Sequence, residues 1–306
     1  MNGVRVNGRF VLLLAAFAIS CGLAQNGNDA PIVLKFGFPR NAIPDLNERD
    51  AKAVVKLWSD DYIDEQKYKP VFNFYTDELS LVQSLTDGQI DIAPLSPIQY
   101  VQFDSKRKLY PAVCAKIRES VYDRFVLLVR KDSRFTGLGD LLNRTLLIRQ
   151  ESPQSALNTW LQVLMHEAGL PRPELFFREM IKKERESQLV FPLLLKQADC
   201  CIMTQGAFHT MSELNPQLDA QLTQLMTSDS LLISSILVYT DRLDEAVRND
   251  LTSLALNWTA GKTTDQLQIL FGFNTLIPYE DQYVETIRLL LERHARIQLT
   301  DNPVPR

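Results

Sequence analysis

From residue 32 onward, short apolar runs alternate with stretches whose apolar positions recur every three or four residues. This is the pattern of βα units feeding parallel sheets. Ile32 to Phe38 reads as a strand, and Asp45 to Tyr62 as a helix with Leu46, Val54, Leu57 and Trp58 on its apolar face. Val71 to Tyr75 reads as a second strand, Glu78 to Thr86 as a helix stopped at Gly88, and Ile90 to Leu95 as a third strand.

The helix-then-strand unit returns later in the chain. Leu81-Val82, Leu85, Gln89 and Asp91 recur 108 residues on as Leu189-Val190, Leu193, Gln197 and Asp199. At the same offset Ser96 falls opposite Thr204, and Tyr100 opposite Phe208. Recurrence of a whole supersecondary unit is what two related lobes leave behind. Phe125 to Arg130 and Thr145 to Arg149 read as strands of the second lobe. Ser152 then offers a helix cap with Pro153 at the first helical position, and Gly169 ends that helix. Cys200 to Met203 reads as a strand, Ser212 to Pro216 as the break between two short helices, and Leu231 to Tyr239 as a strand returning to the first lobe. The segment from Asp241 to Leu299 is helical in pattern, interrupted around Gly272 to Pro278.

The pattern predicts an α/β chain of two lobes of similar build, each a mostly parallel sheet flanked by helices; the ligand cleft between them is what the family resemblance given below implies. Lobe 1 is assigned to residues 25–120 and 231–306, and lobe 2 to 121–230.

Composition sets the compartment. Arg5 and Arg9 precede an uncharged apolar run from Phe10 to Ser20, then small and polar residues, the plan of a secretory signal over residues 1–24. The run is too short to span a bilayer, which takes roughly 20 apolar residues. Two processing readings compete. Cleavage after Ala24 fits Gly22-Leu23-Ala24, while Ala18-Ile19-Ser20-Cys21 reads as a lipoprotein box that would put a lipid anchor on Cys21. Either way the protein is expected outside the cytoplasm, periplasmic or otherwise extracytoplasmic.

Loss of residues 1–24 removes two arginines and no acid, taking the net charge from −4 to −6. That balance excludes nucleic acid and anionic membrane as partners. Only Lys182-Lys183-Glu184-Arg185-Glu186 is densely charged, and it reads as a solvated helix end or loop. Cys114, Cys200 and Cys201 are too few for a disulfide framework. They read as buried thiols on strands, with one bridge from Cys114 to either member of the vicinal pair as the alternative. His166, His209 and His294 stand too far apart for a ligand-spaced pair, so no metal and no cofactor is expected.

Several fragments in order resemble the periplasmic solute-binding proteins of phosphonate, phosphite and phosphate ABC importers. They are Lys35-Phe36-Gly37, Gly88-Gln89-Ile90-Asp91-Ile92-Ala93, Arg130-Lys131-Asp132-Ser133, Gly139-Asp140-Leu141, Lys196-Gln197-Ala198-Asp199, Glu213-Leu214-Asn215-Pro216, Ser228 and Leu270-Phe271-Gly272-Phe273. The resemblance implies a type II periplasmic-binding fold, a monomer that hinges over a small anionic solute and presents its closed form to an inner-membrane permease. It departs from the family at three places. Ser152-Pro153-Gln154-Ser155 stands where a tandem Ser-Thr-Ser is usual, Pro94-Leu95 follow the Asp-Ile-Ala strand in place of a tyrosine, and an aromatic hydroxyl near Glu78 is missing.

Open parallel sheets bind ligands beyond the carboxyl ends of their strands. The loops there supply Arg40, Ser96, Tyr100, Ser152, Gln154, Ser155, Thr204, Gln205 and Ser228 as candidate ligand-binding residues. Ser152 to Ser155 leads the set, because a helix N-terminus suits an oxyanion. A sensor that hands its closed form to a membrane receptor or kinase would use the same cleft. An enzyme would need a nucleophile with its base, a metal set or a phosphate loop; His166-Glu167 lacks a second histidine, and no Gly-x-Ser-x-Gly occurs, so no catalytic residue is assigned.

Overall fold

A computed structural model describes residues 30–39, 49, 53, 56, 59, 63–103, 108–116, 120–152, 154–257 and 275–301. The described strands form two mixed sheets and one short ribbon. The first sheet contains β1 (Ile32–Pro39), β2 (Tyr68–Tyr75), β3 (Ile92–Leu95), β4 (Leu109–Lys116), β12 (Ile236–Thr240) and β13 (Thr275–Pro278), in the order β13-β4-β12-β3-β1-β2. The second contains β6 (Phe125–Arg130), β7 (Thr145–Arg149), β8 (Glu179–Lys183), β9 (Cys200–Thr204) and β10 (Leu222–Thr227), in the order β10-β6-β9-β7-β8. Between them β5 (Tyr122–Asp123) pairs antiparallel with β11 (Leu231–Leu232).

The two sheets follow one plan. In each, three parallel strands (β2-β1-β3 and β8-β7-β9) are joined by an antiparallel strand, β12 or β6, which the chain enters directly from the ribbon. The 108-residue recurrence is visible at atomic level. Asp91 accepts the Lys35 N–H at 3.2 Å while its own N–H reaches Lys35 O; Asp199 accepts the Thr145 N–H at 2.9 Å while its own N–H reaches Thr145 O. Each carboxylate therefore ties its strand entry to the neighbouring parallel strand. Leu81 and Leu85 are fully buried under the first sheet, as Leu189 and Leu193 are under the second.

Period-two burial divides the second sheet's apolar residues between two layers. On β6, Phe125, Leu127 and Val129 join Trp160 and Leu161 of α3 (Ala156–Glu167), whereas Val126 and Leu128 join Leu189 and Leu193 of α5 (Ser187–Leu194). Helix α9 (Glu285–Asp301) also closes on α3. Ile287 and Leu290 enter that core, Arg293 forms a fork to Glu167 with contacts of 2.8 and 2.6 Å, and His294 meets Gln162 at 2.9 Å.

Helix α1 (Glu78–Thr86) starts and ends where the pattern places it. The expected strand from Leu231 to Tyr239 is broken instead, because Leu231–Leu232 belongs to the ribbon and the sheet resumes at Ile236. Around Pro278, where the helical pattern breaks, Thr275–Pro278 is an edge strand on β4. Proline at a strand end withholds no ladder N–H that the sheet needs. The three described cysteines are buried and unpaired: Cys114 on β4, Cys200 and Cys201 on β9. The bridge considered above is therefore not formed, and burial raises the Cys114 thiol to about 11.

The turns leaving α1 and α5 require the same left-handed backbone at equivalent residues, Gly88 at φ 70° and Lys196 at φ 61°. Glycine adopts it freely, while a side chain costs about 1 kcal/mol there. Gly88→Ala should lower unfolding stability by about 1 kcal/mol, and Lys196→Gly should raise it by a similar amount less the exposed Lys196–Asp132 ion pair, which contributes little. Urea unfolding of both variants checks the pair, opposite signs being the expected result.

Candidate functional site

The carboxyl ends of the parallel strands in both sheets lead into helix starts, and these starts carry most of the polar side chains near the gap. In the second sheet β7 runs into Arg149, Glu151 and Ser152, β8 into Glu186, and β9 into Thr204. In the first sheet β2 runs into Asp77 and Glu78, and β3 into Ser96. The two edges approach here: Ser152 lies close enough to Glu78 to lower its carboxyl, although the two residues belong to different sheets.

Each candidate serine or threonine has a defined job. Ser96 caps α2 (Pro97–Gln102) in a reciprocal box, its hydroxyl accepting Gln99 N–H at 3.2 Å and its own N–H donating to Gln99 Oε1 at 2.8 Å. Thr204 caps α6 (Gln205–Leu214) by accepting Ala207 N–H at 3.3 Å. Its N–H and hydroxyl donate to Glu186 Oε1 and Oε2 at 2.8 and 3.0 Å. Gln205 gives its N–H to Arg124 O. Ser228 is buried, accepting Phe125 N–H at 2.9 Å and donating to Asp229 O at 2.7 Å, so it fixes the chain beside the ribbon instead of facing the gap. Tyr100 packs edge-on against Tyr279 with ring centroids 5.5 Å apart, and Phe208 is core. Arg40, Cys21 and Pro153 lie outside the described residues.

The expected cap at Ser152 is corrected by three residues. Ser155 is the N-cap of α3, accepting Asn158 N–H at 3.2 Å, and Ser152 begins a turn in which its carbonyl accepts Ser155 N–H at 2.9 Å and Asn158 Nδ2 at 2.8 Å. Ser-Pro resembles an N-cap locally, but this extra turn delays the helix. The Ser152 hydroxyl is thereby freed from capping. It donates to Gln154 Oε1 at 3.0 Å and lies near the Glu78 carboxyl.

Sequence reasoning misses the carboxylates. Glu186, in the segment read as a solvated loop, is a buried group whose carboxyl is pushed up by that burial and by the charge of Glu151, against the hydrogen bonds of Thr204 and the charge of Arg149. Glu78 is likewise raised, chiefly by burial and also by Glu151, against the lowering effect of the nearby Ser152 hydroxyl, and it accepts Gln99 Nε2 at 3.0 Å. Glu151 pairs with Arg149 at 3.2 Å. The signal that would have found them is the repeat itself, since Glu78 and Glu186 are 108 residues apart.

The N-terminus of α6 is also occupied from within. Gly206 N–H points between both Asp123 oxygens at 3.1 Å each, and a Cβ at Gly206 would come within 2.6 Å of Asp123 Oδ2. Among the described residues no group of His, Cys, Asp and Glu could hold a metal ion, and no helix is long and apolar enough to cross a membrane.

Residues 42–283 match the family described as the periplasmic substrate-binding protein of phosphonate ABC transporters. No protein of curated function matches the sequence. Three solved structures share the fold over most of their length. One is a binding-protein component of a phosphonate ABC transporter from Pseudomonas aeruginosa, at 17% identity and a TM-score of 0.63, with 90% of this chain and 91% of that chain covered. The PhnD1 protein of Prochlorococcus marinus in complex with methylphosphonate aligns at 15% identity and a TM-score of 0.60, covering 87% and 99%. A Xanthomonas citri protein bound to ATP aligns at 12% identity and a TM-score of 0.60, covering 89% and 99%.

A raised carboxyl holds its proton in the folded state where the unfolded chain has lost it, so its contribution to stability falls as pH rises through that window. Glu186→Gln keeps an acceptor for Thr204 and removes the titration. The stability of the wild type minus that of Glu186→Gln should fall between the ordinary carboxylate range and the raised Glu186 value, and be flat above it. Chemical denaturation at a series of pH values measures the difference.

Proposed function

The chain belongs to the family of periplasmic substrate-binding proteins of phosphonate ABC transporters, and we propose that it captures a small oxyanion-bearing solute between the carboxyl edges of its two sheets. Proteins of this family work outside the cytoplasm and pass a small solute to a membrane permease; the family is one of transport, not of catalysis. The observation that carries the reading is the closeness of Glu78 to Ser152, which sets the two sheet edges beside each other at the first turn of α3. That turn presents N–H groups ahead of Ser155-capped Asn158, and helix starts of this kind receive oxyanions. Binding of methylphosphonate by the Prochlorococcus marinus protein of the same fold supports the ligand class.

In this reading the β5–β11 ribbon is the hinge. The lobes are residues 25–120 with 231–306, and 121–230, while α9 straps the first to α3 of the second. Residues 1–24 direct export, with release after Ala24 or lipid anchoring at Cys21, and the mature protein acts as a monomer that releases its solute unchanged. Ser152, Gln154 and Ser155 are the residues proposed to meet the oxyanion, with Ser96 and Thr204 shaping the walls through their caps; Arg40 is a further candidate from the sequence.

A thermal-shift screen of phosphate, phosphite, phosphonates, sulfonates and small carboxylates tests this. A ligand at a hundredfold excess over Kd stabilises the folded form by about 2.7 kcal/mol, enough for an upward shift of several degrees. Ser152→Ala, which leaves the α3 cap in place, should reduce the shift for the same ligand. Absence of a shift with every anion would overturn the proposal, as would chemical conversion of a bound solute on incubation.

A further inference from the structure

Each of the two large sheets ends in two edge strands, and three of these four strands are blunted against pairing with another chain. β2 carries Pro70, β13 is short and ends on Pro278, and β10 is bulged between Gln224 and Met226. β8 differs. It runs from Glu179 to Lys183 in unbroken register with β7, contains no proline, and among the described residues no strand covers its other side. Its main-chain groups alternate in direction. The Lys183 carbonyl takes the Gln150 N–H just beyond β7, so Ile181 and Lys183 turn toward β7, while Met180 and Lys182 point their N–H and C=O groups away from the sheet. The side chains alternate as well. Glu179, Ile181 and Lys183 share the face of the α5 layer, and Met180 and Lys182 share the face of the α3 layer.

This strand is its own complement. Laid antiparallel to a second copy with Ile181 on the two-fold axis, Met180 meets Lys182 of the second copy, and these are the residues whose outward N–H and C=O groups can be exchanged. Glu179 then faces Lys183 of the second copy at a non-hydrogen-bonded position, where side chains approach most closely, and the same ion pair repeats across the axis. The opposite orientation would set Glu179 against Glu179 and Lys183 against Lys183. A slip by two residues would lose both ion pairs.

We propose that β8 is an association edge for a second copy of this chain, the two strands pairing antiparallel so that the second sheets of both copies join into one. The lysines that keep unrelated strands away from such an edge also select this partner, because Lys183 is disfavoured opposite any strand without a carboxylate at the matching position. The inference goes beyond the solute reading above and does not rest on it. Each copy remains the unit that captures solute.

Sedimentation velocity of the purified protein tests it, and wild type should pass from monomer toward dimer as concentration is raised over roughly a hundredfold range. Lys182→Pro removes an outward N–H and no bond to β7, so it should leave the fold intact and weaken dimerisation by roughly tenfold or more. Glu179→Lys and Lys183→Glu should each be monomeric alone. Mixed together they should form a heterodimer, because both ion pairs are then complementary across the axis. Glu179 is exposed, so the charge variants keep the test intact should Lys182→Pro fail to fold. A wild type that stays monomeric at every concentration overturns the inference. So does a dimer that persists unchanged in Glu179→Lys, or a mixture of the two charge variants that stays monomeric.

Discussion

A chain that builds two sheets and returns to the first must cross between them twice, and here one carboxylate on the first crossing ties it to the second sheet while the crossings pair with each other as a ribbon. Asp123 sits on the ribbon strand β5, accepts Gly206 N–H with both oxygens, and takes the following Arg124 N–H at 2.7 Å. Arg124 in turn reaches Ser230 Oγ at 3.1 Å on the other crossing. The start of α6 is thereby fixed to the ribbon, from which β6 and β12 each leave to complete one sheet. The lack of a side chain at Gly206 is what admits this carboxylate, since a Cβ there would displace it.

The two helix starts of the second sheet that carry a Ser or Thr cap differ in how far their donors are already used. The N-terminus of α6 has its donors consumed by Asp123, Arg124 O and Thr204, whereas α3 has a delayed start, a serine cap and a turn at Ser152 that faces the other sheet. Helix dipoles alone would rank the two sites alike. The difference comes from which acceptors the chain has already placed there.

The repeat and most of the elements were legible in the sequence because they depend on local periodicity and on turn residues, as at Leu81, Leu85 and Gly88 and again at Leu189, Leu193 and Lys196. The cap of α3 was misplaced because Ser152-Pro153 satisfies the local rule for a helix start as well as Ser155 does, and only the turn between them decides. The strand at Leu231 was drawn too long because the ribbon strand and the sheet strand after it share one apolar run. Ser228 was legible as a polar residue after a strand, but its two hydrogen bonds depend on the distant Phe125. Glu186 was hidden by its neighbours: among Lys182, Lys183, Glu184 and Arg185 it reads as surface charge, and its burial follows from Thr204 lying across the strand order.

The same electrostatics act where the edges of the two sheets approach. Glu78 of the first lies beside Ser152 and Glu151 of the second, and burial and the Glu151 charge both raise its carboxyl. Glu186 is raised within the second sheet itself, chiefly by burial and also by Glu151, against the hydrogen bonds of Thr204. The two acids are thus placed alike by the repeat but buried by different neighbours. The hydrogen bonds of Asp123 lie within the ribbon and the second sheet, and none of them reaches Glu78.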